Sequence, residues 1–180
     1  MNSDEADRLR AQMTLVPHIG IFDSGVGGLS VLRALRPRLP GVRMSYIADS
    51  AHAPYGDRDD DFIVARSLAL ARALRERGAN LLVVACNTAT AAAVHALREA
   101  WPDWPIVGVE PGIKPAVAAS ASGRIGVMAT TSTLGSARFA RLVASHAPGL
   151  EVYLQPCPGL VSAIERGDLA APALLALLDD

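Results

Sequence analysis

One cysteine lies where a thiol could do acid–base chemistry. Cys86 follows the apolar run 81–85 and precedes Asn87 and Thr88, so a buried strand is predicted to end and a helix to begin there. The dipole and first free amides of a helix favour a thiolate. Such a thiolate could act as a nucleophile or remove a proton. Because free cysteine is also among the most buried residue types, a packing role for Cys86 stays open.

A glycine-rich loop follows an earlier predicted strand. It spans residues 23–28, DSGVGG, and its glycines would let backbone amides approach an anion at a helix N-terminus. One alternative is a dinucleotide site, with Asp49 as the ribose-binding acid. Against it, Ser30 replaces the third glycine of that motif, and Asp23 would repel a pyrophosphate. The other alternative is a tight turn capped by Asp23 and Ser24.

A second loop carries a tyrosine among turn-forming residues. Pro54 presets an extended turn, Gly56 frees the backbone, and the Tyr55 hydroxyl is a candidate ligand contact. A lone loop histidine such as His52 is typical of a solvated side chain. The acidic stretch 57–61 is typical of a helix N-terminus facing water.

The elements that position these loops alternate along the chain. Strands are predicted at 18–22, 43–48, 81–85, 106–109, 124–129 and 151–155. Helices are predicted at 28–35, 61–76, 88–100, 114–119, 132–146 and 160–166, with a further apolar helix from about 171. Several strands are apolar on both faces, as in parallel sheets covered by helices on both sides. The pattern predicts an α/β fold with doubly wound, mostly parallel sheets.

The three loops follow consecutive predicted strands. In an open parallel sheet the carboxyl ends of the strands share one edge, and ligands bind there. We therefore expect Asp23, Ser24, Tyr55 and Cys86 to meet in one crevice.

Composition narrows the class of protein. The chain has 180 residues, a net charge of -1 and 51% hydrophobic residues, which is typical of a soluble globular protein. The near-neutral charge indicates neither a nucleic-acid nor a membrane-surface partner. Its two cysteines follow no metal-type spacing, which favours a reduced, cytoplasmic setting over disulfides. No run reaches the ~18 apolar residues of a membrane span.

The domain organisation is predicted from a new strand–helix series that starts near Glu110. Residues 1–14 are expected to form a disordered extension, 15–110 an N-terminal α/β domain and 111–180 a second, incomplete α/β domain of the same flavodoxin- or Rossmann-like type. Cys157, between two prolines, is assigned a packing role. Glu165, which closes a short apolar helix, is either a solvated acid or a crevice acid.

Taken together, these motifs resemble glutamate racemase, of the aspartate/glutamate racemase superfamily. The resemblance runs from about Ile19 to the end of the chain. It is carried by residues 19–30, 54–56 and 85–90, with weaker segments at 108–111, 128–130 and 157–158.

The resemblance implies a cofactor-independent racemase of two α/β domains that interconverts L- and D-glutamate and supplies D-glutamate for peptidoglycan, and so for cell-wall biogenesis and cell shape. Two thiols would act from opposite faces of the substrate α-carbon, with Cys86 as one of them and Asp23 as its carboxylate partner. The implied substrate-binding residues are Asp23, Ser24, Tyr55, Gly56, Asn87 and Thr88.

The resemblance also bears on the remaining assignments. Glu165 falls where the family has a further acid near the site, and Thr130 is a further candidate site residue. No cofactor or metal is implied. Glutamate is the expected small-molecule partner, and a homodimer is compatible with the resemblance.

The chain departs from the family pattern in one respect. The family's second catalytic thiol lies in a segment beyond the last helix here, and Cys157 matches a different segment. We therefore expect a half-assembled site, as in a C-terminally truncated racemase, with little or no racemisation. A racemase for aspartate or another small acid, and a non-catalytic amino-acid-binding module, are the alternatives.

Overall fold

A computed structural model describes residues 17–167 and 172–179, so the extension predicted at 1–14 lies outside the described residues. The first sheet has four parallel strands in the order β2-β1-β3-β4. Their bounds are β1 His18–Asp23, β2 Arg43–Ala48, β3 Leu81–Val84 and β4 Ile106–Gly108. The predicted parallel α/β class is confirmed.

Helices cover both faces of this sheet. They are α1 Leu29–Leu35, α2 Asp60–Glu76 and α3 Asn87–Ala100. Ile21 of β1 packs in one apolar cluster with α1, and the neighbouring Phe22 packs in another with α2 and α3. Successive strand residues point to opposite faces, so apolar residues in sequence build both layers.

The second sheet has two parallel strands, β5 Arg124–Ala129 and β6 Glu151–Pro156. The helices around it are α4 Ile113–Ala119, α5 Thr131–Gly135, α6 Ala137–His146, α7 Leu160–Arg166 and α8 Pro172–Asp179. One face packs Ile125 and Val127 against Phe139 of α6. On the other face, Met128 is 57% and Tyr153 60% exposed, so within the described residues helices cover only one face of this sheet.

The prediction of one helix over residues 132–146 is wrong, because the structure has two helices there. Ser136 has extended backbone (φ -74°, ψ 141°), and its Oγ accepts a hydrogen bond from Phe139 N at 3.1 Å. A serine cap satisfies a free amide at a helix start, so α6 begins anew there. In the sequence, all strands of the first sheet precede Glu110 and both strands of the second sheet follow it. The division into domains at Glu110 stays a prediction.

Candidate active site

An open cavity of about 350 Å³ lies at the carboxyl ends of β1 and β3, and residues that follow β5 and β6 line its other side. Every residue assigned to the site from the sequence lines this cavity. They are Asp23, Ser24, Tyr55, Gly56, Cys86, Asn87, Thr88, Thr130 and Glu165. Their roles stay predictions, but the expectation that they meet in one crevice agrees with the structure.

Cys86 is the N-cap residue of α3, and only 7% of its surface is exposed. Its Sγ accepts a hydrogen bond from Ala89 N at 3.3 Å and lies 3.5 Å from Ser24 Oγ. Burial, followed by the negative charge of Asp23, raises the pKa of the thiol, although the bonds from Ser24 and Ala89 act in the opposite direction. The helix start therefore favours the thiolate, as expected from the sequence, but burial outweighs it.

Asp23 shapes the loop that surrounds it. Its Oδ2 accepts hydrogen bonds from Gly25 N at 3.1 Å and from Gly28 N at 3.0 Å. The loop folds so tightly that a Cβ on Gly28 would lie 2.6 Å from Asp23 Cβ and 3.0 Å from Ala85 Cβ. Asp23 thus both caps the turn and lines the cavity. Ser24 does not cap the turn, since its Oγ is directed to Cys86 instead.

Glu165 closes this loop from the second sheet's side. Val26 N donates to Glu165 Oε1 at 3.0 Å and to Oε2 at 3.2 Å, so Glu165 lies in the crevice, where it is half-buried. The amides of Gly25, Val26 and Gly28 are all bound to carboxylates of the chain. These three amides are therefore not available to the pyrophosphate of the dinucleotide alternative.

Tyr55 is buried, and its hydroxyl already has a partner. It is 1% exposed and donates to Asp49 Oδ2 at 2.6 Å, and its role as a ligand contact stays a prediction. Burial and Asp49 raise the pKa of Tyr55. His52 is not simply solvated either, because its Nδ1 lies 3.0 Å from Asp49 Oδ1. Both carboxylate oxygens of Asp49 are thus already bound by side chains, which argues against a role in binding a ribose hydroxyl.

The acidic stretch 57–61 behaves as predicted. Its side chains are exposed, and Asp59 caps α2 by accepting from Phe62 N at 2.7 Å. These carboxylates belong to the helix start and lie outside the cavity.

Three threonine hydroxyls join the two sheets at the cavity wall. Thr88 Oγ1 lies 3.2 Å from both Thr130 Oγ1 and Thr133 Oγ1, and Thr130 donates to Thr133 at 2.9 Å. Gly56 permits this contact, because a Cβ there would lie 2.7 Å from Thr130 Cγ2. Sequence reasoning missed Thr133. Its signal was a threonine three positions after Thr130, where a helix-capping pair would be expected.

Tyr46 is a second residue that sequence reasoning missed. Its hydroxyl donates to Gly25 O at 2.9 Å and so supports the glycine-rich loop from β2. Burial and the charge of Asp23 raise the pKa of Tyr46. The only sequence signal was a tyrosine near the end of the predicted strand 43–48.

Cys157 is half-buried and lies away from the main cavity. Its Sγ donates to Gln155 O at 3.4 Å, and it lines a neighbouring small cavity of about 20 Å³ with Pro54 and Pro158. In the described part of the chain, no three His, Cys, Asp or Glu residues are grouped so that they could hold a metal ion. Across residues 17–167 and 172–179, no helix is both long and apolar enough to cross a membrane.

Comparison with known proteins points to one family. The sequence model of the Asp/Glu/Hydantoin racemase family matches residues 19–179. A glutamate racemase of Pseudomonas aeruginosa is 55% identical over 161 residues, which are 89% of this chain and 61% of that protein. The chain thus spans about three fifths of the length of this relative.

Solved structures give the same result. The crystal structure of Escherichia coli glutamate racemase, in complex with L-glutamate and the activator UDP-MurNAc-Ala, superimposes with a TM-score of 0.81 at 38% identity, over 91% of this chain and 63% of that one. A glutamate racemase from Francisella tularensis, in complex with D-glutamate, gives a TM-score of 0.76 at 31% identity, over 90% of this chain and 61% of that one.

Proposed function

Because the chain belongs to the Asp/Glu/hydantoin racemase family, we propose that its cavity binds glutamate and that Cys86 transfers the α-proton of the bound amino acid. One observation carries this proposal. The Cys86 thiol lies in a cavity beside the start of α3, with Ser24 Oγ 3.5 Å away and the Asp23 carboxylate close enough to raise its pKa.

The chemistry follows from these neighbours. The thiolate of Cys86 takes the α-proton: the C–H bond breaks, an S–H bond forms, and the electron pair moves into the substrate's α-carboxylate. Asn87 and Thr88 would donate to that carboxylate as its negative charge grows. Thr130, whose hydroxyl donates to Thr133, would position Thr88. An ammonium group beside Asp23 would offset the charge that raises the thiol pKa, so a bound amino acid itself would favour the reactive thiolate.

Inversion requires an acid on the far side of the α-carbon. The other cysteine of the chain, Cys157, does not line the cavity of Cys86. We therefore propose that the 180-residue chain exchanges the α-proton on one face with little or no net racemisation. We propose that in the cell this site, joined by a second acid on the far side of the α-carbon, acts in the cytoplasm and supplies D-glutamate for peptidoglycan. The support is the family resemblance and the names of the relatives.

Deuterium wash-in tests the proposal. Purified protein is incubated separately with L-glutamate and with D-glutamate in D₂O, because a single thiol removes the α-proton of only one enantiomer. Loss of the α-proton signal is followed by proton NMR, with circular dichroism reporting inversion. We expect exchange in the wild type and in Cys157→Ser, and none in Cys86→Ser. Equal exchange in Cys86→Ser would refute the role of that thiol.

Three further results would change the proposal. Faster exchange of aspartate than of glutamate would identify a racemase-type site for a different acid. Thermal stabilisation by glutamate with no exchange in any variant would identify a binding module. Rapid inversion by the 180-residue chain would show that a second group in this chain delivers the proton.

A further inference from the structure

Behind the cavity wall lies a buried carboxylate that the proposed chemistry does not use. Asp49 follows β2 and is 6% exposed. The guanidinium group of Arg66 in α2 donates to both carboxylate oxygens, from Nε to Oδ2 at 2.9 Å and from Nη2 to Oδ1 at 2.7 Å. Tyr55 donates to Oδ2 at 2.6 Å, and His52 Nδ1 lies 3.0 Å from Oδ1. Both oxygens are thus bound twice.

This carboxylate is held in its charged form. Burial opposes ionisation, but the hydrogen bonds from Arg66, Tyr55 and His52 outweigh it and lower the pKa of Asp49. A forked, two-point Arg–carboxylate contact fixes direction as well as charge, which a single ammonium group could not do.

Asp49 and Arg66, here called the pair, affect the cavity only through residues that they contact. Neither Asp49 nor Arg66 lines the cavity, whereas Tyr55 and Gly56 do. The Asp49 side chain fixes Tyr55, and the Asp49 backbone N–H donates to Asp23 O at 2.9 Å. The same residue therefore ties the second loop to the end of β1.

We propose that Asp49 and Arg66 are positioning residues that hold the Tyr55–Gly56 wall in the geometry in which glutamate binds. The inference rests on the proposed function, since the wall matters only if the cavity binds an amino acid. The hydrogen bonds of the Cys86 thiol go to Ser24 and Ala89 and not to the pair, so the pair is expected to control substrate binding with little effect on the reactivity of the thiol.

Substitutions in the pair test this. Arg66→Gln and Asp49→Asn each remove the forked contact, and Arg72→Gln is a matched control, because Arg72 is exposed on the same helix. Calorimetry with L-glutamate measures the Kd, and iodoacetamide measures the reactivity of Cys86 in a Cys157→Ser background. Loss of the wall geometry is expected to weaken the Kd by about 10-fold, which corresponds to ~1.4 kcal/mol of binding free energy. The alkylation rate of Cys86 should change less than about twofold, as expected for neutral positions.

The double variant gives a second criterion. If Asp49 and Arg66 act as one unit, the double variant binds glutamate no more weakly than the worse single variant. If neither Arg66→Gln nor Asp49→Asn folds, Tyr55→Phe removes one hydrogen bond to Asp49 and should still weaken binding. Wild-type affinity in the folded single variants, or in Tyr55→Phe, would overturn the inference while leaving the proposed function intact. A wild type that binds no glutamate would overturn both.

Discussion

Replacing Gly56 by alanine tests how the two sheets meet at the cavity. A Cβ at this position would lie 2.7 Å from Thr130 Cγ2 and 2.8 Å from Thr130 Cβ. Carbon atoms in contact prefer a separation of roughly 3.5–4.0 Å. The substitution must therefore move Thr130 or the Tyr55–Gly56 loop by about 1 Å, and Thr130 is itself held by Thr88 and Thr133.

Two opposing effects set the size of the change in stability. Overpacking of this kind costs about 1–3 kcal/mol of unfolding free energy. Replacing glycine also restricts the unfolded chain and contributes about 0.4–1 kcal/mol of stability where the backbone tolerates it. Gly56 has no positive φ, so the second effect applies. The cost of the overlap is expected to exceed the gain from the restricted unfolded chain. The net loss of unfolding free energy is therefore smaller than the cost of the overlap itself.

Gly126→Ala isolates the overlap. Gly126 lies in β5, its φ is not positive, and a Cβ there would meet no atom within 4 Å. Urea unfolding should give Gly56→Ala a free energy of unfolding about 1–3 kcal/mol below that of Gly126→Ala, since the unfolded-state effect is common to both. Glutamate affinity should fall in Gly56→Ala and stay at the wild-type value in Gly126→Ala.

A second substitution checks the cause. Thr130→Ser removes Cγ2 and keeps the hydroxyl, so in its background the difference between the two alanine variants should shrink. It should not vanish, because the contact of 2.8 Å to the Cβ of residue 130 remains. A difference within about 0.5 kcal/mol in the wild-type background, the range of ordinary surface substitutions, would refute the packing described here.

Two further predictions concern pH. Burial and Asp23 raise the pKa of Cys86. In a Cys157→Ser background, the pH at which iodoacetamide labelling of Cys86 is half-maximal should therefore be higher in the folded protein than in the guanidinium-unfolded chain, and Asp23→Asn should lower the folded value. A folded midpoint pH at or below the unfolded one would contradict this prediction. The pKa of Asp49 is lowered in the folded protein, so its contribution to stability is complete above the unfolded carboxyl pKa of about 3.9. That contribution is lost as the pH falls through the lower folded pKa. The free energy of urea unfolding should therefore fall more between pH 5 and pH 3 in the wild type than in Asp49→Asn.

Much of the site was predictable because its information is local. An apolar run that ends in Cys86 and opens into a helix is readable from residue types alone, as are the loops after β1 and β2. Parallel strands bring their carboxyl ends to one edge, so the meeting of Asp23, Tyr55 and Cys86 followed from the fold class. The apolar pattern of 132–146 hid the break at Ser136, because a serine cap leaves the periodicity of the flanking turns unchanged.

What the sequence by itself determined is the strands, the helices apart from the break at Ser136, the parallel first sheet and the residues at its edge. The tertiary structure alone decided their partners. Glu165 binds Val26 N, 139 positions away, and Thr133 meets Thr88 because α5 packs against α3. Burial and neighbouring charge, not position in the chain, set the pKa directions of Cys86 and Asp49. Hydrophobic periodicity acts over a few residues, whereas these contacts depend on how distant layers come together.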